Sequence, residues 1–359
     1  MPRSPFDNPV VLEDMSSLAS RVKGWDALDG TTVLVTGAAG MLASYIVFFL
    51  AYLKTVHGVD IRMTALVRNR AKAGRRFGPL IDQVGFMVLE QDVCAQLPAQ
   101  LDVEYAVHAA SLASPQWYGR MPVETMLPNV TGTAHLLEHV RLRCDNLRSF
   151  LFVSSGSVYG EVTQAECCTE DTYGRLNFLA LGNAYGLSKQ MGEALCHAYW
   201  HEYGVPAICA RVFHTYGPTM DWERDSRVFS EFVGNVVRNQ DIVMRSEGSA
   251  CRSFAYITDT VSQLLTVMLR GVPGESYNVG NDTNFTSVAE LADMLVGLYP
   301  GKGIHVVRET RTDAGYSAAT ARKSPMSLSK VRRLGCEPLV SVEDGFKRTI
   351  DAIEWEVCL

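Results

Sequence analysis

The stretch VLVTGAAGMLA, residues 33–43, joins a strand pattern to the first turn of an apolar helix. Gly37 and Gly40 stand at this junction, where glycines let backbone N–H groups and a helix N-terminus approach a pyrophosphate. Further along, the segment YGLSK (185–189) places Tyr185 and Lys189 about one helical turn apart. The first segment is typical of a dinucleotide site and the second of proton transfer beside it. Together they predict redox chemistry.

The sequence around these segments alternates between strand and helix patterns. Short runs rich in Val, Ile, Leu or Phe predict β-strands at residues 32–36, 61–67, 86–89, 105–108, 149–154 and 207–213. Strands that alternate with amphipathic helices predict a parallel sheet covered on both faces. We therefore assign the chain to the α/β class, as a Rossmann-type doubly wound parallel sheet with a smaller C-terminal substrate-binding lobe.

Two helices between these strands have an apolar face that we expect to pack against the rest of the protein. In the helix 133–144 this face consists of Leu136, Leu137, Val140 and Cys144. In the helix 187–199 it consists of Leu187, Met191, Ala194, Leu195 and Ala198.

The pattern divides the chain into three parts. Residues 1–30 form an N-terminal extension with a short helix at 12–22, and residues 31–212 form the dinucleotide-binding domain. Residues 213–359 form most of the substrate-binding lobe, and some of their segments return to the first domain. Helices are expected there at 227–238, 260–270, 287–298 and 342–356.

Composition limits the class of protein. With 359 residues and 47% hydrophobic side chains, the chain can bury a large core. Its net charge of −6 argues against a nucleic-acid partner. No apolar run reaches the ~18 residues of a membrane span, and the N-terminus has no signal-peptide pattern. The nine cysteines show no CxxC pairs. We predict a cytoplasmic protein that does not enter the membrane.

Ordered motifs run through most of the chain: TGAAGMLAS (36–44), QDV (91–93), HAAS (108–111), NVTGT (129–133), VSSGSVYG (153–160), YGLSK (185–189), RVFHTYGP (211–218), RSFAYITD (252–259), YNVGN (277–281) and LGCEP (334–338). Through them the chain resembles the extended short-chain dehydrogenase/reductase family over about residues 30–355. The likeness is to its nucleotide-sugar epimerases, dehydratases and decarboxylases. HAASLASPQWY (108–118) and DSRVFSEFV (225–233) resemble the UDP-glucuronate decarboxylase branch.

The resemblance implies that Ser155, Tyr185 and Lys189 are the catalytic residues. Tyr185 would act as general base toward the sugar hydroxyl at C4, and C4 would pass a hydride to NAD. Lys189 would favour the phenolate and hold the nicotinamide ribose, and Ser155 would hydrogen-bond the same sugar oxygen. The resulting ketone permits epimerisation, elimination or decarboxylation.

The cofactor contacts implied by the resemblance are Gly37, Gly40, Met41, Arg68, Asp92, Val93, Ala109, Ala110, Tyr185 and Lys189. Two positions depart from the family pattern. Ala43 replaces a third glycine, and Arg68 stands where an acidic residue would bind the adenosine ribose hydroxyls of NAD. An arginine there could favour a 2′-phosphate, so NADP stays open. We favour NAD because family members regenerate the cofactor within each turnover.

The expected substrate is a nucleotide-diphosphate sugar. The contacts implied by the resemblance are Ser111, Asn129, Ser155, Asn183, His214, Arg227, Arg252 and Arg322. For each arginine a solvated surface charge is an equal alternative, and Arg252 has the best-matching context. His214 replaces the asparagine of related segments.

Gly156 and Ser157 are the departure that decides between activities. Dehydratases of the family have an Asp-Glu pair here, and the decarboxylases keep a glutamate at the position of Ser157. The missing acid disfavours 4,6-dehydration. It argues less strongly against decarboxylation. We therefore predict a UDP-sugar 4-epimerase. The alternatives are a UDP-glucuronate decarboxylase, an NADP-linked ketosugar reductase and a non-catalytic dinucleotide-binding scaffold.

Two histidine pairs have a spacing that can chelate zinc, His135 with His139 and His197 with His201. Neither pair carries the glutamate of the zinc-protease motif. Because members of the family dimerise through the corresponding helices, we predict a homodimer through residues near 133–145 and 185–203, and no metal site.

Overall fold

The computed structural model describes residues 3–162, 167–309 and 325–358. The strands are β1 Thr31–Thr36, β2 Ile61–Val67, β3 Phe86–Glu90, β4 Tyr105–His108, β5 Ser149–Ser155, β6 Ala207–Val212, β7 Thr215–Tyr216, β8 Ile242–Met244, β9 Cys251–Ser253, β10 Ala255–Tyr256, β11 Ser276–Val279, β12 Phe285–Ser287 and β13 Val306–Arg308. The helices are α1 Pro9–Arg21, α2 Met41–Val56, α3 Arg70–Phe77, α4 Pro115–Tyr118, α5 Pro122–Leu127, α6 Thr133–Arg143, α7 Ala184–Tyr203, α8 Val228–Val237, α9 Ile257–Arg270, α10 Val288–Leu298, α11 Ser329–Arg332 and α12 Val342–Val357.

The centre of the molecule is a parallel sheet of seven strands in the order β11-β6-β5-β4-β1-β2-β3. In its register, Thr36 lies beside Leu66 on one side and His108 on the other. The chain leaves β1 toward β2 and later returns to its other side at β4, which opens a crevice at the carboxyl ends of these strands. The predicted doubly wound parallel sheet is confirmed.

The six predicted strands agree with the structure to within one residue at each end. A further strand, β11, comes from the C-terminal part of the chain and pairs with β6 at the edge of the sheet. Residues after 213 therefore complete the sheet as well as build smaller two-stranded sheets. The exact boundary between the two domains stays a prediction.

A buried carboxylate is one of the contacts that fix the N-terminal extension to the body of the protein. Helix α1 packs against α2, α9 and α12. Its Asp14 accepts hydrogen bonds of 2.6 Å from the hydroxyls of Tyr45 and Tyr256 and of 2.7 Å from Arg348. Burial raises the pKa of Asp14, although Arg348 and the two phenols act against this shift. One side chain thus joins four separate segments.

Helix α6 packs as predicted, because Leu136, Leu137, Val140 and Cys144 are buried. The prediction for α7 is wrong, because Met191 is 51% exposed and Ala194 and Ala198 are exposed as well. The face of α7 that meets the sheet carries Tyr185, Ser188, Lys189, Gly192 and Cys196. A Cβ atom on Gly192 would lie 2.3 Å from the ring of Phe152, so a glycine is needed where α7 approaches β5. Met191, Ala194 and Ala198 of the predicted face therefore point away from the sheet, whereas Leu195 packs partly against the core.

Among the residues that the structure describes, no helix combines the length and the apolar character needed to cross a membrane.

Candidate active site

A cavity of about 570 Å³ lies at the carboxyl ends of the central strands. Its wall is built by the turns after β1, β4, β5 and β6, by the start of α7 and by the loop before α8. Of the predicted site residues, the lining contains Gly40, Met41, Ala109, Ser111, Ser155, Tyr185, Lys189, His214 and Arg227. The structure thus brings together residues that are far apart in sequence.

The turn after β1 has the shape required to hold a dinucleotide. Gly37 has a φ of +63°, and a Cβ atom there would lie 2.7 Å from the Cα of Ala110. Gly40 is the N-cap of α2, and no side chain caps this helix end. Backbone N–H groups at such a turn can bind a pyrophosphate, so the residues present fit the cofactor. Ala43, which replaces a third glycine, is buried in the first turn of α2.

A hydrogen-bonded chain of buried groups holds the ends of β1 and β4 together. The hydroxyl of Thr36 accepts from the N–H of Ala110 at 3.2 Å and donates to Nδ1 of His108 at 2.8 Å. Nε2 of His108 then donates to the carbonyl of Pro128 at 3.1 Å. Burial, with help from the charge of Lys189, lowers the pKa of His108 to about 3. The imidazole is therefore neutral, and it fixes the turn that the cofactor would contact.

Ser155 ends β5 and caps the short helical turn that follows it. Its Oγ accepts from the N–H of Ser157 at 3.1 Å and donates to Oγ of Ser157 at 3.2 Å. A Cβ atom at Gly156 would lie 2.6 Å from the ring of Phe213, so the backbone turns against that ring. The turn consequently presents two hydroxyls and no carboxylate to the cavity.

Tyr185 stands in the first turn of α7 and is 7% exposed. Burial raises its pKa, whereas the hydrogen bond with Ser155 and the charge of Arg227 act in the opposite direction. Ser155 and Arg227 thus both favour the phenolate, which is the form that a general base needs.

Lys189 lies one helical turn after Tyr185 and is 2% exposed. Its Nζ donates to the carbonyl of Val153 at 2.6 Å and lies 5.8 Å from the centre of the Tyr185 ring. Burial lowers the pKa of Lys189 to about 7, although Glu193 acts to raise it. Glu193 is in turn held by Arg211 at 2.8 Å and by the hydroxyl of Ser154 at 2.5 Å.

Polar groups on the remaining walls can contact a sugar nucleotide. The hydroxyl of Ser111 is buried and has no hydrogen-bond partner among the described residues, and the same is true of Ser114. Arg227 lines the cavity with its Nε bonded to Asp225 at 2.7 Å, and its guanidinium lies 4.7 Å from the centre of the Phe229 ring.

Three predicted substrate residues lie outside the cavity lining. Asn129 is fully buried, and its amide donates to the carbonyl of Thr125 at 2.9 Å and to Ser188 at 3.0 Å. It therefore joins α7 to the segment before α6, while its Oδ1 is buried without a hydrogen-bond partner among the described residues, and its sugar contact stays a prediction. The other two donate hydrogen bonds to backbone carbonyls. Asn183 donates to the carbonyl of Asn177, and Arg252 donates to that of Cys251. Arg322 lies outside the described residues.

The predicted adenosine contacts stand at the ends of neighbouring strands. Arg68 follows β2 and is exposed, and Asp92 follows β3 and accepts from the N–H of Cys94 at 2.8 Å. The side chain of Val93 is buried against the position of Gly132. Their roles in cofactor binding remain predictions.

Sequence reasoning did not single out several residues that line the cavity, among them one tyrosine and three cations. Tyr118 stacks on Tyr185, and Lys72, Arg76 and Arg224 add positive charge. The basic run of residues 68–76 was a visible signal for two of these cations. The side chain of Arg76 donates to the carbonyl of Thr219 at 3.0 Å, and the hydroxyl of Thr219 donates to the carbonyl of Met41 at 3.0 Å.

The histidine pairs show no arrangement for metal binding in the described part of the chain. His139 is buried, with Nε2 bonded to the carbonyl of Leu101 at 2.7 Å. His197 and His201 are exposed. Within residues 3–162, 167–309 and 325–358 no group of three or more His, Cys, Asp or Glu residues could hold a metal ion.

The glycine turn, the Ser-Tyr-Lys set and the parallel sheet are those of a known family. The family model described as the NAD dependent epimerase/dehydratase family matches residues 33–280. The chain belongs to this family. Among other members, it is 31% identical over 320 residues to UDP-glucuronic acid decarboxylase 6 of Arabidopsis thaliana, covering 87% of this chain and 86% of the relative. It is 29% identical over 332 residues to UDP-glucuronic acid decarboxylase 1 of Xenopus tropicalis, covering 92% of this chain and 73% of that relative.

Solved structures of other members of the NAD-dependent epimerase/dehydratase family share the fold. The UDP-glucose 4-epimerase of Thermotoga maritima superposes with a TM-score of 0.76 at 23% identity, covering 91% of this chain and 99% of that one. The UDP-glucuronic acid 4-epimerase of Bacillus cereus in complex with NAD gives a TM-score of 0.73 at 23% identity, covering 90% and 99%. These likenesses show the fold, and family membership rests on the sequence.

Proposed function

We propose that this protein is an NAD-dependent nucleotide-sugar 4-epimerase that acts on UDP-sugars. The observation that carries the proposal is the turn after β5. Ser155 stands beside Tyr185, and the position that carries an acid in dehydratases and decarboxylases is Ser157, whose hydroxyl lies 3.2 Å from that of Ser155. A 4-epimerase needs a base for the C4 hydroxyl and space for the ketosugar to rotate, and it needs no second acid.

The mechanism follows from the three catalytic side chains. The phenolate oxygen of Tyr185 takes the proton of the C4 hydroxyl, and the hydroxyl of Ser155 donates a hydrogen bond to the same sugar oxygen. The Lys189 ammonium stabilises the phenolate electrostatically. When bound in the turn from Gly37 to Met41, NAD would take up the hydride from C4 and later supply it back to the C4 of the ketosugar. When the ketosugar has presented its other face, Tyr185 returns the proton to the C4 oxygen.

The packing of Gly156 argues against 4,6-dehydration. An aspartate here would place its Cβ atom 2.6 Å from the Phe213 ring. Adding the acid pair of a dehydratase would therefore require both a substitution and a rearrangement of the Phe213 side chain. A single change cannot convert this turn.

UDP-glucuronate decarboxylation is the second candidate. It is favoured by the likeness of the chain to curated proteins of that name at about one-third identity, 31% for the example from Arabidopsis thaliana. Its chemistry tolerates a serine at position 157, because a β-keto acid loses CO₂ with its own ketone as the electron sink.

The experiment that tests the proposal follows sugar products by NMR. Purified protein is incubated separately with UDP-glucose, UDP-galactose and UDP-glucuronate, without added cofactor. We expect the C4 epimer of at least one substrate, formed without CO₂. Release of CO₂ with a UDP-pentose would assign the decarboxylase instead, and stoichiometric consumption of added NADPH would assign a ketosugar reductase.

Tyr185→Phe is the matched control for this experiment. It removes the base and keeps the ring, so all turnover should fall by roughly 10²–10⁴-fold while the fold is retained. Unchanged turnover in this variant would contradict the assigned role of Tyr185.

We also propose that two copies associate through α6 and α7. The support is the large apolar side chains that these helices expose: Leu142 is 54%, Met191 51% and Tyr203 48% exposed. Exposed apolar patches of this kind are typical of interfaces. Location in the cytoplasm stays a prediction, supported by the cysteine pattern.

A further inference from the structure

Three cations in or near the active-site cavity have no role in the chemistry described above. Lys72 of α3 and Arg224 of the loop before α8 line the cavity together with Gly40, the N-cap of α2. Arg68, at the end of β2, is close enough for its charge to act on Lys72. We call Arg68, Lys72 and Arg224 the cationic collar.

The collar carries positive charge that the described part of the chain leaves without a close counterion. None of its three side chains forms an ion pair with a described carboxylate. The pKa of Lys72 is lowered, first by partial burial and then by Arg76, Arg224 and Arg68, and only the charge of Asp221 opposes this. Like charges held together destabilise one another, so an anion between them would be bound favourably.

The position of the collar indicates which anion this is. Lys72 and Arg224 line the same cavity as residues 40–43, where α2 begins without a side-chain cap. Helix N-termini and glycine turns of this kind bind phosphate groups. Arg68 instead follows the strand whose end meets the adenosine ribose in dinucleotide-binding folds.

We propose that the cationic collar binds phosphate groups of the dinucleotide. Lys72 and Arg224 contact the pyrophosphate, and Arg68 contacts the adenosine end. This rests on the proposed function in one respect, that a nicotinamide dinucleotide occupies the cavity. The collar adds side-chain charge to the backbone contacts of the glycine turn, which holds the cofactor between turnovers.

Calorimetric titration of cofactor-free protein with NAD, NADP and UDP, each alone, tests the collar. The variants are Lys72→Ala, Lys72→Gln, Arg224→Ala and Arg68→Ala. Arg75→Ala is the control, because it removes the same charge from an exposed position of α3 that lies outside the cavity lining. Thermal unfolding of each variant confirms that it is folded.

We expect Lys72→Ala, Lys72→Gln and Arg224→Ala each to weaken NAD binding about tenfold, as for loss of a charged phosphate contact. UDP binding in these variants and NAD binding in Arg75→Ala should stay within about twofold of the wild type. Arg68→Ala separates the two phosphate sources. A loss confined to NADP supports a contact of Arg68 with a 2′-phosphate at the adenosine end, and an equal loss for both cofactors contradicts that placement of Arg68.

Two results would overturn the collar. One is NAD and NADP affinities within about twofold of wild type in both Lys72→Ala and Arg224→Ala. The other is a larger loss of UDP affinity than of NAD affinity, which would assign these cations to the sugar nucleotide. Neither readout needs turnover, so the collar can be tested even if the epimerase proposal fails. The epimerase proposal can likewise be tested if the collar fails.

Discussion

The ring of Tyr118 lies flat against the ring of Tyr185, with 4.6 Å between the ring centroids and 4° between the planes. Tyr118 ends α4, and its hydroxyl donates to the carbonyl of Ala113 at 2.8 Å. The loop after β4 thus covers the catalytic base with an aromatic ring. Burial is the largest influence on the pKa of Tyr185, and it raises that pKa.

Tyr118→Ala should admit water to the phenol of Tyr185. The charged phenolate then becomes easier to form, so the pKa of Tyr185 falls. The limb of the pH profile on which kcat/KM rises with deprotonation of Tyr185 therefore moves to lower pH. Tyr118→Phe keeps the ring and should leave this limb in place. The pH profiles of the three proteins provide the measurement, and equal profiles for Tyr118→Ala and the wild type would contradict the shielding role.

Lys189→Met should abolish turnover and stabilise the cofactor-free fold at pH 7. The pKa of Lys189 is lowered from 10.5 to about 7 by folding. The unfolded chain therefore binds a proton that the folded protein releases between these values, and wild-type stability rises with pH across this window. The variant lacks this dependence, so its advantage of roughly 2–4 kcal/mol at pH 7 should shrink as the pH approaches 10.

Denaturant unfolding at several pH values measures this effect. Lys347→Met is the control, since Lys347 is half-exposed and pairs with Asp351 at 2.5 Å on the surface of α12. Its effect should stay below about 1 kcal/mol at every pH. Parallel stability curves for Lys189→Met and the wild type would refute the prediction.

Asp14→Ala should destabilise the whole fold. It leaves Arg348 and two buried phenols without their shared acceptor, which costs about 3–5 kcal/mol. Glu13→Ala is the matched control, because Glu13 pairs with the same arginine at 3.1 Å from a side chain that is 69% exposed. Thermal unfolding should show a large shift for the first variant and almost none for the second, and comparable shifts would contradict the role of the buried contact.

Met191→Glu should prevent association through α7. Placing a charge in an apolar interface without a partner is unfavourable, so the mass in solution should fall from two copies to one. Val84→Glu, at a position 89% exposed outside α6 and α7, should keep the mass of the wild type. Light scattering coupled to gel filtration measures both, and a wild type that is already monomeric would refute the proposed dimer.

The strands and the catalytic set were the most predictable features. In the strand at residues 61–67, every residue except Arg62 is buried, so its largely apolar character predicts it. Ser155, Tyr185 and Lys189 followed from local spacing and motif, and the cavity contains all three. Their catalytic roles await the experiments above.

Side-chain direction was less predictable. Asn129 lies in a recognisable motif, yet its amide nitrogen donates to the carbonyl of Thr125 and to the hydroxyl of Ser188, within the packing against α7. For α7 the apolar pattern predicted the helix but the wrong buried face, because the face that meets the sheet must carry the catalytic residues and Gly192. A motif fixes where a residue lies in the chain and leaves open which neighbours the fold brings to it.

The sequence by itself determined the parallel α/β sheet, the glycine turn at residues 37–40 and the Tyr185–Lys189 spacing, because each depends on a local pattern of polarity or backbone freedom. Only the tertiary structure decided that Tyr118 covers the base, that Gly156 packs against Phe213 and that Lys72 and Arg224 line the same cavity. These contacts join residues from loops and helices distant in sequence. Their distances depend on how those segments pack on the sheet, which no local pattern encodes.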